Sequence, residues 1–124
     1  MGHATEVIRA LFLPGAKAPH FNYVGDSILG TDVNLGAGTK LSNLKNTSTG
    51  IVIKYNGRNF QTGLRKFGAI LGDRCQTGCN SVLNPGTILG PDCIVYATAS
   101  VRGVYTGKTI IKVKQNVETS EFRF

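Results

Sequence analysis

Histidine titrates nearest neutrality, which makes it the first side chain to consider for moving a proton at physiological pH. The chain of 124 residues has two, His3 and His20. His20 lies in Ala18-Pro19-His20-Phe21-Asn22-Tyr23-Val24-Gly25-Asp26-Ser27, which runs straight into Leu29-Gly30-Thr31-Asp32-Val33-Asn34-Leu35-Gly36-Ala37-Gly38-Thr39. Two histidines cannot supply a three-histidine zinc site, and Cys75 to Cys79 has the wrong spacing for a CxxC redox or metal motif. The sequence therefore requires no metal. Three cysteines, an odd number, argue against a disulfide framework, and Cys75 and Cys93 read as small buried hydrophobes.

The elements that must carry these residues are set by a six-residue repeat. Aliphatic side chains recur at Leu29, Leu35 and Leu41, and after a gap at Leu71, Leu83, Leu89, Val95 and Val101, with Thr77 as the one interruption of the second series. The fifth residue of each hexad is small or β-branched: Val33, Thr39, Cys75, Ser81, Thr87, Cys93 and Ala99. No α-helix has that period. Three hexads make one turn of a triangular coil whose sides are short parallel strands. An eighteen-residue offset then stacks Leu71 under Leu89, Cys75 under Cys93, Ser81 under Ala99 and Leu83 under Val101, each pair matched in size. The predicted fold is all-β, a left-handed parallel β-helix in a single domain. Sixteen glycines suit the corners of such a coil, where positive φ or close backbone approach is needed.

Four stretches divide the domain: first coils over 1–44, an excursion over 45–67, later coils over 68–104, and a C-terminal extension over 105–124. In the excursion a polar loop, 45–50, precedes two alternating runs separated by Asn56-Gly57, the strongest local signal for a two-residue hairpin turn. Residues 109–114 alternate as a strand that leaves the repeat register, and Glu118 to Phe124, with two phenylalanines, reads as a packed cap or an arm to a neighbouring subunit. At the other end, residues 1–6 already read as a hexad that Val7 and Leu13 continue. The chain thus begins inside the repeat, and its open first coil calls for a preceding segment or another chain to cover it.

Fourteen lysines and arginines against seven acids give a net charge of +7, and the group Lys45, Lys54, Arg58, Arg65, Lys66 and Arg74 would attract phosphates. Nucleic acid is not indicated, because no recognised motif or aromatic stacking platform accompanies the basic residues. No apolar run approaches the length of a membrane span, and no signal peptide is evident, so no membrane partner and a cytoplasmic location are expected.

His20-x-x-Tyr23-x-Gly25-Asp26, followed by Asn34-x-Gly36-Ala37-Gly38-Thr39, Asn43 and Lys66-Phe67, resembles the hexapeptide-repeat acyltransferases. The likeness is to the acetyltransferase domain of the bifunctional N-acetylglucosamine-1-phosphate uridyltransferase/glucosamine-1-phosphate acetyltransferases and to related sugar-phosphate nucleotidyltransferase-like proteins. It spans about residues 1–104. It implies acetyl-CoA as co-substrate, a phosphorylated sugar or related small acceptor, and a homotrimer with active sites between subunits. By the same resemblance His20 is the catalytic base. Tyr23, Asn34, Lys66 and Arg9 bind the acceptor, and Ala37, Asn43, Cys79 and Ala97 line the cofactor site.

Three departures are visible: a pair of adjacent basic residues in the family is Ile8-Arg9 here, a tyrosine is Leu44, and a serine of the cofactor site is Cys79. The alternative reading is a catalytically silent hexapeptide module, a trimerising or sugar-nucleotide-binding remnant of a larger transferase.

Overall fold

The structure, a computed structural model, describes residues 1–47 and 49–123; Ser48 of the polar loop and the terminal Phe124 lie outside the described residues. The chain winds as a three-sided β-solenoid. Its first face stacks Glu6–Ile8, Tyr23–Gly25, Lys40–Leu41, Val82–Leu83 and Ser100–Val101. The second stacks Leu11–Phe12, Ile28–Leu29, Ala69–Leu71, Thr87–Leu89 and Val104–Tyr105. On the third, a bridge from Lys17 to Asn34 leads into Asn34–Leu35, Gln76–Thr77, Ile94–Val95 and Ile110–Ile111. All pairings between coils are parallel, as a left-handed parallel β-helix requires.

Inside the prism, the aliphatic ladder and the small fifth-position residues form one core. Leu29, Leu35, Leu41, Leu71, Leu83, Leu89, Val95 and Val101 are buried, and so are Val33, Thr39, Cys75, Ser81, Thr87, Cys93 and Ala99. The stacking of Leu71 on Leu89 and of Leu83 on Val101 is the expected one. Burial pushes the Cys75 thiol up to about 11, which leaves it an inert core side chain at neutral pH. Thr77 can interrupt the ladder because its hydroxyl lies 2.8 Å from Thr39 Oγ1, which is itself 3.3 Å from Ser81 Oγ. A buried hydroxyl with a partner carries little penalty.

Corner glycines serve close approach more than unusual backbone angles. Positive φ at the corners falls mostly on other residues, among them Asp32, Arg74, Asp92 and Lys108 at the second corner and Asn80 and Thr98 at the third. A Cβ on Gly72 would stand 2.6 Å from the backbone nitrogen of Pro91 in the next coil, and one on Gly78 would collide with that of Ala97. No side chain fits there.

The first corner, between the first and second faces, departs from the six-residue rule. Only five residues separate the inward positions Val7 and Phe12, and again Val24 and Leu29, so these coils pair at an offset of 17. Consequently Phe12, not the expected Leu13, takes the inward place opposite Leu29, and Leu13 is exposed. The excursion leaves from this same corner. It forms the expected hairpin, Val52–Tyr55 against Arg58–Gln61, turning at Asn56 (φ 50°) and Gly57 (φ 71°). Its neck is closed by an antiparallel bridge between Leu44 and Lys66, and Ile51 packs as a buried anchor over Gly86.

Past Val101 the corner shortens further, with four residues to Tyr105, but winding does not stop. Ile110–Ile111 pairs in parallel with Ile94–Val95, so the strand expected to leave the repeat continues the third face at a shorter offset. Residues 112–123 form no cap: they are exposed throughout, Val117 at 85% and Phe122 at 76%. A cap needs apolar side chains turned onto the last coil. Here the tail is held instead by polar contacts along one edge, with Gln115 donating to Thr98 Oγ1 and the Lys112 ammonium over the Tyr96 ring.

Gly72→Ala tests the coil spacing. The added methyl meets backbone rather than a movable side chain, so denaturant unfolding should show a loss of about 1–3 kcal/mol, the usual cost of overpacking. A loss below about 0.5 kcal/mol, the scale of a neutral surface change, would show that neighbouring coils separate freely.

Candidate functional site

All but one of the sequence-derived candidates fall into two groups, gathered at different corners of the prism. At the third corner, between the third and first faces, His20, Ala37, Cys79 and Ala97 occupy successive coils. Gly38 donates to the His20 carbonyl, Asn80 to that of Ala37, and Thr98 to that of Cys79. Three strand spacings separate the first from the last, about 14 Å. Buried Asn22 fixes the start of this column: its Oδ1 accepts from the His20 backbone N–H, and its amide donates to the carbonyls of Gly36 and Thr39. The His20 side chain is exposed and, among the described residues, its imidazole has no hydrogen-bond partner within the chain. Cys79 is the exposed cysteine of the three. A groove of about 260 Å³ on the adjoining face is lined by Gln76 to Gly78 and Ile94 to Ala97.

At the first corner, Arg9, Asp26 and Asn43 stand one above another at equal spacings of 17 residues. Asp26 accepts from Arg9 Nε at 2.7 Å and Nη2 at 3.1 Å, a two-pronged pair, and from Asn43 Nδ2 at 2.6 Å. The hydrogen bonds from Arg9, then the one from Asn43 and the positive charges of Arg9 and Lys66, hold the Asp26 carboxyl below its ordinary range against the opposing effect of burial. Tyr23 and Asn43 both bring polar atoms over Gly25, where a Cβ would meet the Tyr23 hydroxyl at 2.7 Å. The returning excursion roofs this cluster, and a cavity of about 560 Å³ opens between Arg9, Asp26, Ile28, Leu64, Lys66 and Phe67.

Arg9 and Lys66 share this cavity, while Tyr23 stands beside it on the first face with its hydroxyl over Gly25 and does not line it. Asn43, grouped by resemblance with the cofactor residues, sits with this set and not with Ala37, Cys79 and Ala97. Asn34 stands apart, exposed on the third face between Lys17 and Gln76.

Sequence reasoning assigned no role to Asp26, the residue that joins the first-corner cluster, although its equal spacing from Arg9 and Asn43 was a readable signal. It also missed the outward side of the second face, where Leu11, Ile28, Ile70, Ile88 and Val104 form an unbroken aliphatic row. The outward row of the first face begins Glu6, Tyr23, Lys40 instead. Among the described residues no group of three or more His, Cys, Asp or Glu side chains is placed to hold a metal ion, and no helix is long and apolar enough to cross a membrane.

This architecture, a three-sided parallel coil with its candidate side chains on the corners, defines a hexapeptide-repeat β-solenoid. Sequence comparison gives the kinship within that class. The bifunctional sugar-1-phosphate nucleotidylyltransferase/acetyltransferase of Sulfurisphaera tokodaii is 37% identical over 101 residues, 82% of this chain and 25% of that protein. The bifunctional protein GlmU of Methanococcus vannielii is 35% identical over 82% of this chain and 24% of its own length. That of Exiguobacterium sibiricum is 33% identical over 82% and 19%. No family model matches the chain. Over 82% of its length the chain is similar to part of these bifunctional nucleotidylyltransferase/acetyltransferases, and it spans about a quarter or less of theirs.

Asp26→Asn tests the first-corner cluster through pH. The folded-state carboxyl is held low, so the charged pair's contribution is present above the unfolded value near 3.9 and fades as pH falls through the lower folded value. Denaturation of both proteins between about pH 2 and 7 should show wild type ahead at neutral pH and its lead shrinking below about pH 4. A lead independent of pH would mean that the carboxylate charge contributes nothing.

Proposed function

We propose that this chain is an acetyl-CoA-dependent acyltransferase, acting on a phosphorylated amino sugar or a related small acceptor, and that it works as an assembly of identical copies, three by family resemblance. The carrying observation is the division of the candidate residues between two corners. The exposed imidazole and the column of small side chains stand on one corner, and the cationic cavity stands on another. Copies packed side by side bring unlike corners together, so a shared site has what a single chain keeps apart.

The chemistry follows from these positions. His20, whose imidazole has no hydrogen-bond partner among the described residues, takes the proton as the acceptor nitrogen attacks the thioester carbonyl. A C–N bond forms, the tetrahedral intermediate collapses, and the C–S bond breaks with departure of the CoA thiolate. Small side chains at Ala37, Cys79 and Ala97 leave the third corner open for an extended pantetheine arm along the coils. Lys66, exposed at the cavity mouth and without an ion pair among the described residues, supplies a charge for the acceptor's phosphate.

The aliphatic row on the second face supports assembly. Leu11 is 54% exposed and Ile28 40%, and both border the cavity that Lys66 enters. A continuous apolar sheet face beside a cationic site suits burial against another copy.

One observation favours the second reading, a catalytically silent trimerising module. The Arg9 guanidinium is already committed to Asp26, in the same geometry as Arg74 with Asp92 at the second corner, outside the lining of that cavity. An arginine so paired is a coil-to-coil tie before it is a phosphate ligand.

Thiol release from acetyl-CoA in the presence of glucosamine 1-phosphate separates the two readings. An enzyme turns over; the silent module does not. For an enzyme, His20→Ala should lower turnover by roughly 10² to 10⁴ while CoA binding is nearly kept. Lys66→Ala should weaken a phosphorylated acceptor by about tenfold to a hundredfold and leave CoA affinity unchanged. Parallel loss of CoA affinity in both variants would overturn the assigned roles.

Assembly is tested by sedimentation at micromolar concentration, where oligomers are expected. Ile28→Lys, a charge on the exposed aliphatic row, should shift the population to monomer without unfolding it. Monomeric wild type would remove the shared site altogether.

A further inference from the structure

The excursion has a second side. Toward the C-terminal coils it leans over the first corner as far as Val104 and encloses another cavity, of about 500 Å³. Three cations reach it from separate segments: Lys45 from the loop after Leu44, Lys54 from the hairpin strand, and Arg102 from the shortened corner after Val101. Val52, Ile53 and Pro85 give it an apolar wall. None of the chain's seven acidic side chains lines it.

The cations here are uncommitted. Arg9 and Arg74 are each paired two-pronged with an aspartate, whereas Lys45, Lys54 and Arg102 form no ion pair among the described residues. Lys45 Nζ makes only a 3.4 Å contact with the Gly50 carbonyl. Gathering three positive charges around one cavity without a counter-charge opposes folding, and a bound anion relieves that repulsion. The volume lies within the usual range of small-molecule sites. The apolar wall suits a ligand with a body as well as a charge.

We propose that this cavity is a binding site for a phosphate-bearing small molecule of nucleotide size, separate from the candidate acyl-transfer residues. Phosphate groups lie among Lys45, Lys54 and Arg102, and the remainder packs on Val52, Ile53 and Pro85. The site depends on the excursion staying folded over the corner, which buried Ile51 secures.

The test measures binding of uridine 5′-diphosphate and of inorganic pyrophosphate to the full chain by calorimetry at low salt, with no acyl donor present. Saturable binding is expected, tighter for the nucleotide because of the apolar wall. Lys54→Ala and Arg102→Ala should each weaken it by about tenfold or more. Lys66→Ala, on the other side of the excursion, and Arg58→Ala, at the hairpin tip, should leave it within about twofold. Both cavity substitutions replace exposed side chains, and thermal melts verify their folding. Binding retained in His20→Ala keeps this result independent of acyl transfer. Absence of saturable binding by either probe overturns the proposal. So does an equal loss in Arg58→Ala, which would reduce the effect to overall positive charge.

Discussion

Everything in this molecule depends on how closely one coil lies on the next. Parallel backbone pairing fixes the separation at about 4.8 Å on all three faces. At the corners that spacing leaves no room for a Cβ beneath Pro91 or Ala97, and the chain meets the constraint with Gly72 and Gly78. The same spacing forces like onto like inside, so each inward side chain must fit those directly above and below it. A short solenoid can then build a continuous core from leucine, valine and small residues, with the larger Phe12, Tyr105 and Ile111 in its first and last coils.

Only the first corner escapes this discipline. Between inward positions it spans five residues in the first two coils, six in the fourth and four in the last, while in the third it carries the whole excursion. Length can vary there because the inward residues on either side still meet their ladders, as Leu29 under Leu71 shows after an offset of 42. Variation in length makes cavities. Both larger ones lie against the excursion, one on each side, and each is lined by cations from the corner and the hairpin region.

Charge at the corners has two uses, and geometry tells them apart. Asp32, Arg74, Asp92 and Lys108 alternate in sign up the second corner, with Arg74 and Asp92 joined through two hydrogen bonds. That column ties coils together and lines neither of the two larger cavities. Arg9 with Asp26 repeats the arrangement at the first corner, where a cavity also opens, so its contribution to the coil precedes any contribution to a ligand. Among the described residues, Lys66, Lys45, Lys54 and Arg102 belong to no such tie.

The six-residue period determined the solenoid, because a coil of three equal sides is the way to bury every sixth side chain along one column. Asn56-Gly57 likewise determined the hairpin, since both residues must adopt positive φ, as they do. Sequence could also mark His20, Tyr23 and Lys66 as residues to watch. It could not say that Phe12 rather than Leu13 turns inward, because that follows from one residue missing at a corner, and a single omission shifts every later side chain. Nor could it carry the coil on to Ile111 or show residues 112–123 lying exposed rather than capping the core. Those outcomes depend on which backbone edges are left to pair once the preceding coils are in place. The division of the candidate residues between two corners, and the meeting of Lys45, Lys54 and Arg102 from distant segments, were likewise decided by tertiary structure. A repeat fixes which residues share a column. The corners and the excursion decide which columns face each other.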